Sequence, residues 1–197
     1  MVVRRRVTGG NRMFFNQASS MEGKVALVTS AAALIGTGAI NGTGNGLANT
    51  IAGNASANQL LGLAGADRLF GNAGDDLLVG GLGADTLSGG AGIDRFSFDV
   101  LESTINRDIV SDFDHGTDRI EISRAAFAAF SGSAAGVLDA SVLALGTAAA
   151  TVDQHLIYEA ATGALYYDAD GSGAQAQIMI ASFTTRPAID AGDIMLI

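Results

Sequence analysis

Residues 44–97 read GNGLANTIA, GNASANQLL, GLAGADRLF, GNAGDDLLV, GGLGADTLS, GGAGIDRFS, one nine-residue phrase written six times without a gap. A short fixed period marks a solenoid, in which each repeat buries its apolar side only by stacking on its neighbours. Position one is always glycine (Gly44, Gly53, Gly62, Gly71, Gly80, Gly89). Position six is always a carboxylate or its amide (Asn49, Asn58, Asp67, Asp76, Asp85, Asp94), and position eight is always large and apolar (Ile51, Leu60, Leu69, Leu78, Leu87, Phe96). The last three residues of each copy, one inward side chain between two outward ones, suit a very short strand. The first six suit a turn, where glycine or asparagine supplies positive φ angles. Two copies then make one coil, so residues eighteen apart become neighbours.

That stacking places Asp67 near Asp85 and Asp76 near Asp94, where bare carboxylates repel. A hard divalent cation removes the conflict. Calcium fits best, because it accepts six to eight oxygens in flexible geometry and takes backbone carbonyls, which glycine-rich turns leave exposed.

GGLGADTLS and GGAGIDRFS resemble the consensus GGxGxDxUx of RTX, or haemolysin-type, calcium-binding repeats. The resemblance implies an ion between successive turns of one edge, held by carbonyls of positions two and four and the position-six carboxylate of one turn. The next turn adds carbonyls of positions one and three and its own aspartate. Carried onto this chain, one site uses Leu63, Gly65, Asp67, Gly80, Leu82 and Asp85, and a second uses Asn72, Gly74, Asp76, Gly89, Ala91 and Asp94. Copies one and two carry Asn49 and Asn58 instead of aspartate, so sites there are expected to be weaker or empty. Leu63 stands where the consensus has glycine, which is expected to strain that turn.

Composition agrees with a cation-binding chain. A net charge of −9 over 197 residues, with 20 acidic groups against 11 basic ones, argues against nucleic acid as a partner. Cysteine is absent, which excludes disulfides and thiolate metal sites. No run of eighteen apolar residues predicts a transmembrane segment, and the start, with Arg4, Arg5 and Arg6, lacks the apolar stretch of a cleavable secretory signal.

Upstream of the array, residues 1–23 show no periodicity and are expected to be disordered. Residues 22–36, EGKVALVTSAAALIG, resemble the opening of short-chain dehydrogenases. Leu34 replaces a required glycine, however, and Lys24 is the single lysine, so the catalytic YxxxK pair is impossible. Val25, Leu27, Leu34 and Ile40 read better as rungs of an imperfect solenoid that begins near residue 24.

Downstream, alternation in 108–113 and 118–122 around the turn 114–117 predicts a β-hairpin. DIVSDFDHGTDRIEIS resembles the start of the C-terminal module of serralysin-type secreted proteins. Asp112, eighteen residues after Asp94, is expected to close a third site with Gly90, Gly92 and Asp94. Ser123 and Asp139 are candidate caps of short helices, and strands are expected at 154–159, 164–167, 175–183 and 194–197. Asp168, Asp170 and Ser172 resemble half of an EF-hand loop, but Met179 occupies the position that requires glutamate, so a β-turn is the better reading.

Enzymatic chemistry finds no residues. His115 and His155 are isolated, and neither HExxH, GxSxG nor a P-loop occurs. The expectation is an all-β, non-enzymatic chain: a parallel β-roll over 24–99, followed over 100–197 by a small β-rich cap with one or two short helices. Its cofactor is Ca2+. The RTX resemblance further implies a secreted protein exported by a type I ABC system that reads an uncleaved C-terminal signal, for which AIDAGDIMLI (188–197) is the candidate. Two other readings stand beside it, a secretion and folding module of a larger secreted enzyme, and an adhesive or surface-layer protein.

Overall fold

The computed structural model describes residues 27–29, 38–39, 41–101 and 106–197. The segment 1–23 and the expected rungs Val25, Leu34 and Ile40 lie outside the described residues. Through the array the strands are β1 (Leu27–Thr29), β2 (Gly42–Thr43), β3 (Thr50–Ala52), β4 (Gln59–Ala64), β5 (Arg68–Ala73), β6 (Leu77–Leu82), β7 (Thr86–Ala91) and β8 (Arg95–Phe98). Odd strands build one sheet and even strands the other, each pairing in parallel with the strand two before it. The register is eighteen residues: Leu60 pairs Leu78, and Leu69 pairs Leu87. The fold is thus an all-β parallel β-roll. Its full strands are longer than the sequence predicts, running from position seven of one copy to position three of the next. The turn proper is only positions four to six.

Position eight explains the core. Ile51, Leu60, Leu69, Leu78, Leu87 and Phe96 are each 0% exposed, and together they form the row along which the two sheets meet. Burying one such side chain stabilises by roughly 2 kcal/mol, so the rows cohere only as a stack.

Both sheets run unbroken into the C-terminal half. After the array come β9 (Asp108–Val110), β10 (Arg119–Ile122), β11 (Gly136–Val137), β12 (Leu143–Leu145), β13 (Leu156–Glu159), β14 (Ala164–Tyr167), β15 (Ile178–Phe183) and β16 (Ile194–Leu196). The nine-stranded sheet has the order β1-β3-β5-β7-β9-β15-β14-β13-β12, and the seven-stranded sheet β11-β16-β10-β8-β6-β4-β2. The expected hairpin over 108–122 is therefore not one. β9 lies on β7 and β10 on β8, both in parallel, so this segment is one further coil of the roll. Alternation reports which side chains face inward and does not say which strand is the neighbour. This coil is longer than the eighteen-residue coils of the array: Thr86 pairs Ile109 and Arg95 pairs Arg119, offsets of 23 and 24 residues.

Among the described residues there is no α-helix. The expected helices are single 3-10 turns at Ala128–Phe130 and Ala140–Val142, the latter capped by Asp139 as expected, with a third at Ala191–Asp193. Strands β13, β14, β15 and β16 fall within the four stretches expected. Aromatic rings close the end of the roll, Phe96 meeting Phe113 at 6.0 Å and Phe113 meeting Phe183 edge-on at 5.3 Å. Leu78→Ala removes a rung with full neighbours above and below and is expected to cost about 2–5 kcal/mol in denaturant unfolding. A loss of a few tenths would show that the rungs are not the core.

Candidate metal centre

Each coil carries two corners, and the position-six residues line them in two columns. On one edge the order is Asn49, Asp67, Asp85, Asp108. On the other it is Asn58, Asp76, Asp94, Asp118. One carboxylate oxygen ties every step: Asp67 Oδ1 accepts the amide N–H of Asn49 at 2.6 Å, Asp85 Oδ1 that of Asp67 at 2.7 Å, and Asp94 Oδ1 that of Asp76 at 2.9 Å. The other oxygen is different. Oδ2 of Asp67, Asp76, Asp85 and Asp94 is buried and has no hydrogen-bond donor among the described residues. A buried charge left in this way is costly unless something pairs with it.

The turn glycines are shaped by the same corner. A Cβ built on Gly62 would overlap both Asp67 Oδ2 and the Gly80 carbonyl, and one on Gly71 would overlap Asp76 Oδ2 and the Gly89 carbonyl. The free carboxylate oxygen of one turn thus lies beside the position-one carbonyl of the next, with no room for a side chain. Carbonyls of Leu63 and Gly65 face Gly81 and Gly83 above them, and those of Asn72 and Gly74 face Gly90 and Gly92. Leu82 and Ala91 carbonyls accept the amides of Gly65 and Gly74 at 2.8 Å. The structure therefore brings together, turn over turn, the residues of both six-member sets given by the sequence.

Positions two and four hold positive φ in copies three to six: Leu63 at 79°, Asn72 at 76°, and Gly65, Gly74, Gly81, Gly83, Gly90 and Gly92 between 92° and 140°. Copies one and two differ. Asn45 and Asn54 lack that twist, and their amides close on Asn49 Oδ1 and Asn58 Oδ1 at 2.7 Å. Those turns fill with their own hydrogen bonds the place that copies three to six leave free.

Residues 43–78 and 61–96 match the RTX calcium-binding nonapeptide repeat family, four copies in each match. Residues 43–96 are RTX calcium-binding nonapeptide repeats. No curated protein matches the chain. Among solved structures the chain is similar to the AlgE6R3 subunit of the Azotobacter vinelandii mannuronan C5-epimerase, with 32% identity over 77% of this chain and 80% of that one, at a TM-score of 0.48.

The RTX corners fit a calcium ion on the donors themselves. In copies three to six the free side-chain atoms at the corners are four buried carboxylate oxygens without a proton donor among the described residues, whereas copy one leaves the Asn49 amide nitrogen free instead. No cluster of three His, Asp or Glu side chains converges among the described residues, so main-chain carbonyls must supply most of any shell. The described ion pairs, Arg95 with Glu121 and His115 with Asp193, do not reach the columns.

Asp112 does not stack over Asp94. Its oxygens accept the amides of Gly89 and Gly90, each at 3.0 Å, and the Ser88 hydroxyl at 2.6 Å. The lengthened coil carries the column to Asp118, whose Oδ1 accepts the Asp94 amide at 3.0 Å, while Asp108 takes the matching place over Asp85. Neither residue stands out on an eighteen-residue count. The signal that finds them is local: Asp108-Ile109-Val110 and Asp118-Arg119-Ile120 repeat the order aspartate, outward residue, inward apolar residue of Asp85-Thr86-Leu87 and Asp94-Arg95-Phe96. Asp112 is followed two residues later by Asp114, which cannot be a rung.

Burial pushes the Asp67, Asp76 and Asp94 carboxyls up to about 6 and Asp108 to about 8, with Asp85 also raised; the amide bonds to each offset part of this. For these acids the folded value lies above the unfolded one. Without metal, their contribution favours the roll at low pH and is lost as pH rises through about 6. In chelator, sheet content measured by circular dichroism is therefore expected to rise as pH is lowered from about 7 to about 5. With calcium the sign reverses, since protons compete for the same oxygens and apparent affinity falls over that window. Leu63 lies in the left-handed region and is 48% exposed. Leu63→Gly is accordingly expected to raise stability in calcium by up to about 1 kcal/mol, read from the denaturation midpoint.

Proposed function

We propose that this protein is a non-catalytic, secreted calcium-binding β-roll that folds when it binds calcium outside the cell. The observation that carries this reading is the set of four buried carboxylate oxygens, on Asp67, Asp76, Asp85 and Asp94, that no donor among the described residues satisfies. Leu63, Gly65, Asp67, Gly80, Leu82 and Asp85 would hold one ion, and Asn72, Gly74, Asp76, Gly89, Ala91 and Asp94 another. The ion supplies charge neutralisation and cross-links consecutive coils. Because the unfolded chain has no such cage, binding energy becomes folding energy.

The coupling suits export. With 20 acidic groups and 27 glycines, the metal-free chain is costly to order. At the low free calcium of a cytosol the chain stays extended and passes through a type I ABC exporter, then folds at roughly millimolar calcium. The candidate signal 188–197 supports this sequence of events. In the folded protein Ile189, Ala191, Ile194 and Leu196 are buried and β16 sits between β10 and β11, so a receptor can read this tail only before folding. Among the described residues no helix is long and apolar enough to cross a membrane.

Isothermal titration of the metal-free chain with calcium is expected to give saturable binding of several ions, about two fewer in the Asp67→Ala, Asp76→Ala double variant. In a cell carrying a type I exporter, removing residues 188–197 is expected to retain the chain inside. Absence of calcium heats, or undiminished export of the truncated chain, would refute the respective half of the proposal.

A further inference from the structure

Beyond the last nonapeptide the chain lays one more turn on the edge that carries Asp76 and Asp94, and that turn comes from outside the repeats. We propose that Gly90, Gly92 and Asp94 form a further calcium cradle whose closing carboxylate is Asp118, so that the ion column continues past the array into the C-terminal half. This rests on the calcium reading above and extends it to residues that no nonapeptide supplies.

Three observations carry it. Asp94 is fully buried, and its Oδ2, beside Gly89, has no donor, the same condition as Asp76 Oδ2 beside Gly71. Asp118 is joined to it as every upper aspartate is joined to the one below, Oδ1 accepting the Asp94 amide at 3.0 Å against 2.9 Å for the Asp76–Asp94 step. The lower turn has the open form: Gly90 and Gly92 have φ of 99° and 140°, matching Asn72 and Gly74 one coil earlier at 76° and 98°. A carboxylate pair with a buried free oxygen over an open turn is the arrangement that recurs at the two cradles inside the array.

The turn that brings Asp118 into place is held from both sides. Its Oδ2 accepts the Asp114 amide at 2.9 Å, which fixes the corner internally. Asp193, 1% exposed, grips the same corner through the Gly116 amide at 3.0 Å and the His115 ring at 2.8 Å. Asp193 belongs to the 3-10 turn before β16, so it acts as a positioning residue that ties the C-terminal strand to the end of the ion column.

The test is calcium titration of the full chain carrying Asp118→Asn, which keeps the side-chain size and one acceptor oxygen. The variant is expected to bind about one ion fewer per chain, with the remaining ions unchanged. Anomalous diffraction from the wild-type chain crystallised in calcium gives a second reading that needs no variant, with a peak expected between Asp94 and Asp118. Wild-type stoichiometry in the variant overturns the proposal. So does a map with a peak between Asp76 and Asp94 but none between Asp94 and Asp118. Calcium absent from every turn would overturn the broader reading as well.

Discussion

A carboxylate oxygen buried without a donor is the constraint on which this structure turns. In each open corner one oxygen of the aspartate is used to stitch coil to coil through a backbone amide, and the other is left facing carbonyls and the next acid. Oxygen facing oxygen repels. Among the described residues no arginine, lysine or histidine pairs with these carboxylates, and glycine at position one keeps a side chain out of the space beside the free oxygen. The corners are therefore built for a cation, and the two sheets can stack tightly because something other than the protein completes their edges.

The division of labour follows. The row of Ile51, Leu60, Leu69, Leu78, Leu87 and Phe96 supplies cohesion along the axis, while the corners decide whether coils can approach closely enough to form it. In copies one and two the asparagine side-chain oxygens are taken up by their own turns, so that end of the array offers a cation fewer free acceptors. The aromatic contacts from Phe96 through Phe113 to Phe183 seal the other end, where both sheets continue into strands of mixed direction.

Much of this was legible in the sequence, and for definite reasons. A nine-residue period with an invariant inward residue admits one stacking, so the roll, its register and the turn-over-turn pairing of Asp67 with Asp85 and Asp76 with Asp94 followed from spacing alone. The strain at Leu63 was readable because only position two of that turn lacks the residue that a positive φ favours. What escaped the sequence lay where the period changed. Asp112 satisfied the count of eighteen but not the inward residue two places on, whereas Asp108 and Asp118 satisfied the local order at offsets that insertions had stretched. The hairpin over 108–122 failed for a related reason: two short alternating segments joined by a turn look alike whether they pair with each other or lie on opposite sheets. Frequent glycine at positions one to three of each copy reads as turn, yet at position one it answers the crowding of the aspartate Oδ2 and accommodates an extended strand.

The most direct measurement of the central claim is the sheet content of the full chain by far-ultraviolet circular dichroism at neutral pH, first in chelator and then in roughly millimolar calcium. The account predicts a largely unfolded spectrum in chelator that converts to β structure as calcium is added, in a cooperative transition that chelator reverses. An identical β spectrum and thermal midpoint in both conditions would contradict it.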